Sequence, residues 1–126
     1  MHGKCRVMTF NYSCTPVELE AMALDFAAKV KPVTEGLIWK IFLNRPEEHR
    51  SAGVYLFRDV ASASNYLNGP FVKAMRESLI ITNISAEVFE VMHQASINAH
   101  APVESIEDKF WPAFCEGYET LPTNRY

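Results

Sequence analysis

The segment from Gly36 to Asp59 constrains the fold most, because it reads as two apolar strands joined by a polar turn. Leu37 to Leu43 forms the first strand and Ala52 to Arg58 the second. Asn44 to Ser51 between them is polar and contains Pro46, as a hairpin-like loop does. Side chains alternate along a strand, so Trp39, Ile41 and Leu43 oppose Ile38, Lys40 and Phe42. Both faces are therefore apolar, and Lys40 stands out. A charge in such company needs a partner, a ligand or a route to water.

The flanking segments complete a pattern. Lys4 to Tyr12 alternates as a strand, with Val7, Thr9 and Asn11 on one face and Met8, Phe10 and Tyr12 on the other. Thr15 followed by Glu18 predicts a capping box, and Pro16 fits the first helical position. The spacing of Leu19, Met22, Ala23, Phe26, Ala27 and Val30 predicts a helix over 16–30, which Pro32 ends. Asp59 caps a second helix over Val60 to Leu67. Asn68-Gly69-Pro70 breaks it, and Phe71 to Glu77 resumes it. Ile80 to Met92 is the fourth strand, bent near Ser85. The order β-α-β-β-α-β predicts an α+β, ferredoxin-like fold: an antiparallel sheet with both helices on one face. An apolar helix-free face is avoided by soluble monomers, so a two-fold homodimer packed sheet against sheet is expected.

Residues 1–93 form this domain in the sequence reading, and residues 94–126 form an arm. The arm contains Phe110, Trp111, Phe114, Tyr118 and Leu121, too apolar for a solvated tail. It is expected to dock on its own subunit or on the dimer partner, with a short helix within Val103 to Phe110. The net charge of −3 and the scattered basic residues argue against nucleic acid. No apolar run reaches the roughly 20 residues of a membrane span. No signal-peptide pattern is visible, so a cytoplasmic location is expected. Cys5, Cys14 and Cys115 read as free thiols. Neither they nor His2, His49, His93 and His100 show metal-ligand spacing, and no metal is expected.

Gly36-Leu37-Ile38-Trp39-Lys40, then His49, then Ala52-Gly53-Val54-Tyr55-Leu56-Phe57 and Asp59, resemble the YdhR-type monooxygenase family. That family belongs to the dimeric α+β barrel superfamily, with the antibiotic-biosynthesis monooxygenases. The similarity spans about Phe10 to Met92, and the tail beyond His93 departs from the compact family pattern. The resemblance implies a homodimer whose two sheets form a dimeric α+β barrel around a cavity. It also implies a cofactor-independent monooxygenase acting on a small aromatic or enolic substrate. Relatives in the superfamily offer two alternatives: a cyclase or isomerase on a polyketide-like or terpenoid-like intermediate, and a non-catalytic binder of a small hydrophobic ligand.

A cofactor-free oxygenase needs a base, a donor to an oxyanion and a dry apolar pocket. His49, Lys40 and Tyr55 are the catalytic candidates: His49 as base, Lys40 beside the oxyanion, Tyr55 as donor. Each also has a structural reading, respectively as a loop residue, a salt-bridge partner and a packed core aromatic. Trp39, Phe42, Asn11 and Tyr12 are candidates for substrate contact. Trp39 and Lys40 cannot both face the cavity of a regular strand. If Lys40 lines it, Ile38 and Phe42 accompany it, and Trp39 packs under the helices. No haem cofactor is expected, since Val60 to Glu77 contains no histidine.

Overall fold

The computed structural model describes residues 3–103. β1 (Lys4–Tyr12) leads into α1 (Pro16–Asp25), and β2 (Leu37–Arg45) and β3 (Arg50–Phe57) form the hairpin. α2 (Val60–Leu67), α3 (Pro70–Glu77), β4 (Ile81–Glu90) and α4 (His93–Asn98) follow. The antiparallel sheet has the order β2-β3-β1-β4. This is the α+β, ferredoxin-like arrangement that the sequence predicts.

Local chemistry explains the boundaries. The Glu18 N–H donates to Thr15 Oγ1 at 3.1 Å, and the Thr15 N–H donates to Glu18 Oε1 at 2.9 Å. The capping box thus satisfies two otherwise orphaned donors. Asp59 caps α2 by accepting from the Ser62 N–H at 2.8 Å. The first helix differs from expectation at its end. It is α-helical only to Asp25 and continues as a π-helical turn over Phe26–Val30 and a 3₁₀ turn over Lys31–Val33. Pro32 has no N–H to continue the regular ladder. The Lys31 N–H instead reaches back to the Phe26 carbonyl, which widens the turn.

The main core lies between the helices and one sheet face. Met8, Phe26, Tyr55, Phe57, Tyr66 and Val72 are buried there. Each fully buried apolar side chain contributes about 1.5–3 kcal/mol. Tyr55, Phe57, Tyr66, Phe71 and Phe26 pack as a continuous aromatic layer, with Phe26 edge-on to Phe71 at a centroid distance of 5.0 Å.

Two irregularities shape the sheet. Leu37 pairs with Phe57 and Trp39 with Leu56, so β2 carries an extra residue at Ile38. This bulge turns Leu37 into the helix-side core and sends both Ile38 and Trp39 to the opposite face. The second is a register shift between β1 and β4, where Thr9 pairs with Ser85 but Asn11 with Thr82. Asn83 there has a φ of 55°. The bend expected near Ser85 is this bulge.

The helix-free face is partly covered by the chain itself. Ile97 and Val103 are buried against Leu56, Ile38 and Trp39, beyond the last strand. Trp39 Nε1 donates to the Pro102 carbonyl at 3.0 Å. Trp39 therefore packs under this strap and not under the helices, contrary to expectation. Elsewhere on the same face Ile41, Leu43 and Phe89 remain 47–51% exposed. Phe110 to Leu121 and Cys115 lie outside the described residues. The helix expected within Val103 to Phe110 does so too, except for Val103 itself.

Candidate active site

A cavity of about 360 Å³ lies between α1 with its π-helical turn and the sheet. This cavity opens on the helix side of the sheet, the face that carries Lys40 and Phe42. Leu19, Ala23 and Phe26 form one wall, Phe71 and Met75 close it from α3, and β2 and β3 form the floor.

β2 supplies the polar ends. Lys40, Phe42 and Asn44 follow at alternate positions and all line the cavity. Lys40 Nζ lies 3.9 Å from the Phe26 ring centroid, 4.2 Å from Phe42 and 4.4 Å from Tyr55. Among the described residues, no carboxylate lies within ion-pair distance of it. Burial draws its pKa down to about 7. The three ring faces attract the charged form and offset part of that cost.

Gly53 makes this cage possible. It pairs with Phe42 on one side and Met8 on the other, beneath Lys40 and Tyr55. A Cβ at this position would sit 2.9 Å from both Lys40 Cε and Tyr55 Cε1. The missing side chain lets the lysine stem and the tyrosine ring cross the same point.

Tyr55 presents its ring to Lys40, while its hydroxyl points into the core. The Tyr66 hydroxyl donates to it at 3.4 Å, and it approaches Met8 Sδ at 4.0 Å. Arg6, only 5% exposed and with no hydrogen-bond partner for Nε, sits behind this pair. Burial raises the Tyr55 pKa; the Tyr66 hydrogen bond and the Arg6 charge pull the other way. Tyr66 is raised further by burial and by Tyr55, so both phenols stay protonated at neutral pH.

The other candidates stand apart from the cavity. His49 is exposed at the end of the hairpin loop, with a φ of 50°. Its carbonyl accepts from the Tyr12 N–H at 2.9 Å and from Asn11 Nδ2 at 3.2 Å. Asn11 Oδ1 accepts from Arg50 at 3.0 Å and from Asn83 at 3.1 Å. Tyr12 is one step removed: its hydroxyl donates to Asn44 Oδ1 at 2.9 Å. This holds the Asn44 amide at the cavity rim with its NH₂ unpaired among the described residues. Lys40, Phe42 and Tyr55 therefore come together, while Trp39, His49, Asn11 and Tyr12 do not line the cavity. Sequence reasoning passed over Asn44, whose only signal was its even spacing from Lys40 and Phe42. It also read Phe26 as plain core.

Residues 7–102 match the family model described as "Putative mono-oxygenase ydhR". The chain belongs to this family. Its similarity to solved structures is at the level of the fold. SnoaB from Streptomyces nogalater, a cofactor-independent oxygenase, superposes with a TM-score of 0.58 at 15% identity, covering 75% of this chain and 97% of that one. A protein from Shewanella oneidensis gives a TM-score of 0.56 at 16% identity, covering 71% and 91%. A MhuD mutant crystallised with two manganese protoporphyrin IX bound per active site gives 0.53 at 17% identity, covering 71% and 94%. The chain has no significant match among curated proteins. Among the described residues, no group of three or more His, Cys, Asp or Glu side chains could hold a metal ion, and α2 and α3 contain no histidine. No helix among them is long and apolar enough to cross a membrane.

Proposed function

We propose that this monooxygenase-family chain works without a bound cofactor on a small aromatic or enolic substrate, held along β2 between Lys40 and Asn44. The observation that carries the reading is the caged, unpaired Lys40 amine on the floor of an apolar cavity. An amine with a pKa of about 7 can take the proton of a phenol or enol at neutral pH. The ammonium so formed stays beside the new oxyanion in low-dielectric surroundings. Asn44 lies four positions along the strand from Lys40, about 13 Å, a span that suits a fused two-ring substrate. The Asn44 NH₂ would donate to a second oxygen at the far end.

Such a substrate supplies its own electrons. In the conversion of 1-naphthol to 1,4-naphthoquinone, one oxygen atom of O₂ becomes the new ring carbonyl and the other leaves as water. The test is oxygen uptake with a panel of naphthols and hydroquinones, corrected for spontaneous oxidation. Uptake that depends on the protein is expected for at least one of them. No uptake across the panel would sink the reading. The same amine could enolise a substrate without oxygen, as a cyclase or isomerase requires, and that alternative is recognised by turnover under anaerobic conditions. A ligand-binding protein would show saturable binding and no product.

A homodimer is part of the proposal. The exposed Ile41 and Phe89 side chains, on the sheet face away from the cavity, support it. Sedimentation of the purified protein at micromolar concentration should give twice the chain mass; a monomer would count against this arrangement.

A further inference from the structure

We infer that Lys40 is a nucleophilic amine that captures small aromatic aldehydes or ketones as imines inside the cavity. This does not depend on the oxygenase reading, since it uses only the amine and the space before it. Three features carry it. The amine lines an apolar cavity of about 360 Å³, room for a two-ring ligand. It has no ion-pair partner among the described residues, whereas Lys4 pairs with Glu90 at 2.9 Å, Lys29 with Asp25 at 3.0 Å and Lys73 with Glu77 at 3.9 Å. It is also held in place by aromatic faces on several sides, which would stabilise the cationic iminium that imine formation passes through.

The chemistry needs no oxidant or reductant. The free amine's lone pair attacks the carbonyl carbon and a C–N bond forms. Proton transfer gives a carbinolamine, and loss of water gives the imine. The apolar cavity walls disfavour the reverse hydrolysis. At neutral pH roughly half of Lys40 is free base, against on the order of one part in 10³ for an ordinary lysine. The ionisable groups facing it are few. Glu20 of α1 lines the cavity, and Tyr55 of β3 lies beneath, with Tyr66 of α2 and Arg6 of β1 behind it. From α3 and β4 the lining residues are Phe71, Met75 and Ile81, none of which titrates.

The test uses the full chain with 2-naphthaldehyde and cyanoborohydride, which reduces an imine to a stable secondary amine. Peptide mapping by mass spectrometry then locates the adduct. Lys40 should be modified at least about 10-fold faster than Lys29, because far more of it is free base. Its rate should level off above about pH 8, while surface lysines continue to speed up. The Lys40→Arg variant keeps the charge and should lose the fast adduct alone. Labelling of Lys40 no faster than Lys29 in the native chain overturns the inference. So does a fast adduct that persists in the arginine variant, as the α-amino group would give. The mapping on the native chain decides the matter even if the variant does not fold.

Discussion

Lys40→Met should lower turnover roughly 10²–10⁴-fold while the protein stays folded and, near neutral pH, becomes more stable. The two effects have one origin. The native fold holds this lysine at a pKa of about 7, against an ordinary value of 10.5. Between those values the unfolded chain binds a proton that the native chain has released. Native stability therefore rises as pH climbs through that window and is lowest below it. Methionine fills the same space with no charge to desolvate. Its advantage should be about 1–3 kcal/mol near pH 7, after allowing for the lost ring contacts. That advantage should shrink steadily toward about pH 10. Guanidinium unfolding of both proteins across this range measures it. A difference that does not change with pH would mean that Lys40 ionises like a surface lysine and is no base at neutral pH.

Gly36→Val should be the most damaging single change to the fold. Gly36 has a φ of 82°, in the left-handed region that a β-branched residue strongly resists. A Cβ there would also fall on Oγ and Cβ of Ser62, a buried residue in the first turn of α2. The Gly36 carbonyl accepts from the Arg58 N–H at 2.8 Å, so the position ties the start of β2 to the end of β3. Backbone strain and overlap together should cost roughly 3–5 kcal/mol, a large fraction of a domain's stability. The guanidinium midpoint measures the loss. Adding Ser62→Gly should recover the part due to overlap and leave the part due to the backbone. A single variant within about 1 kcal/mol of the parent would show that the α2 terminus yields more easily than its burial implies.

Much of this architecture was legible in the residues because local chemistry and periodicity agreed. Thr15, Glu18 and Pro16 mark one helix start and Asp59 another, through bonds that form within a few residues. Lys40, Phe42 and Tyr55 were legible as candidates because a charge or a phenol in an apolar strand demands an explanation. Alternation gives parity, however, and not which face receives the helices. Trp39 and Lys40 were set on opposite faces, as they are, but Trp39 packs under the strap and not under the helices. The bulge at Ile38 left no signal, since Ile and Trp suit either side of a sheet. His49 was singled out for its titration range, whereas its observed part is a left-handed turn whose carbonyl anchors β1. Asn44 was hidden in what read as loop, because the strand runs to Arg45, past its apolar portion.

The strap from α4 to Val103 divides the outer sheet face into two territories. One is roofed by its own chain over Trp39, and the other, around Ile41 and Phe89, is exposed among the described residues. The cavity opens on the other side of the sheet, so a substitution at Ile41 alters the outer surface without touching a described wall of the cavity.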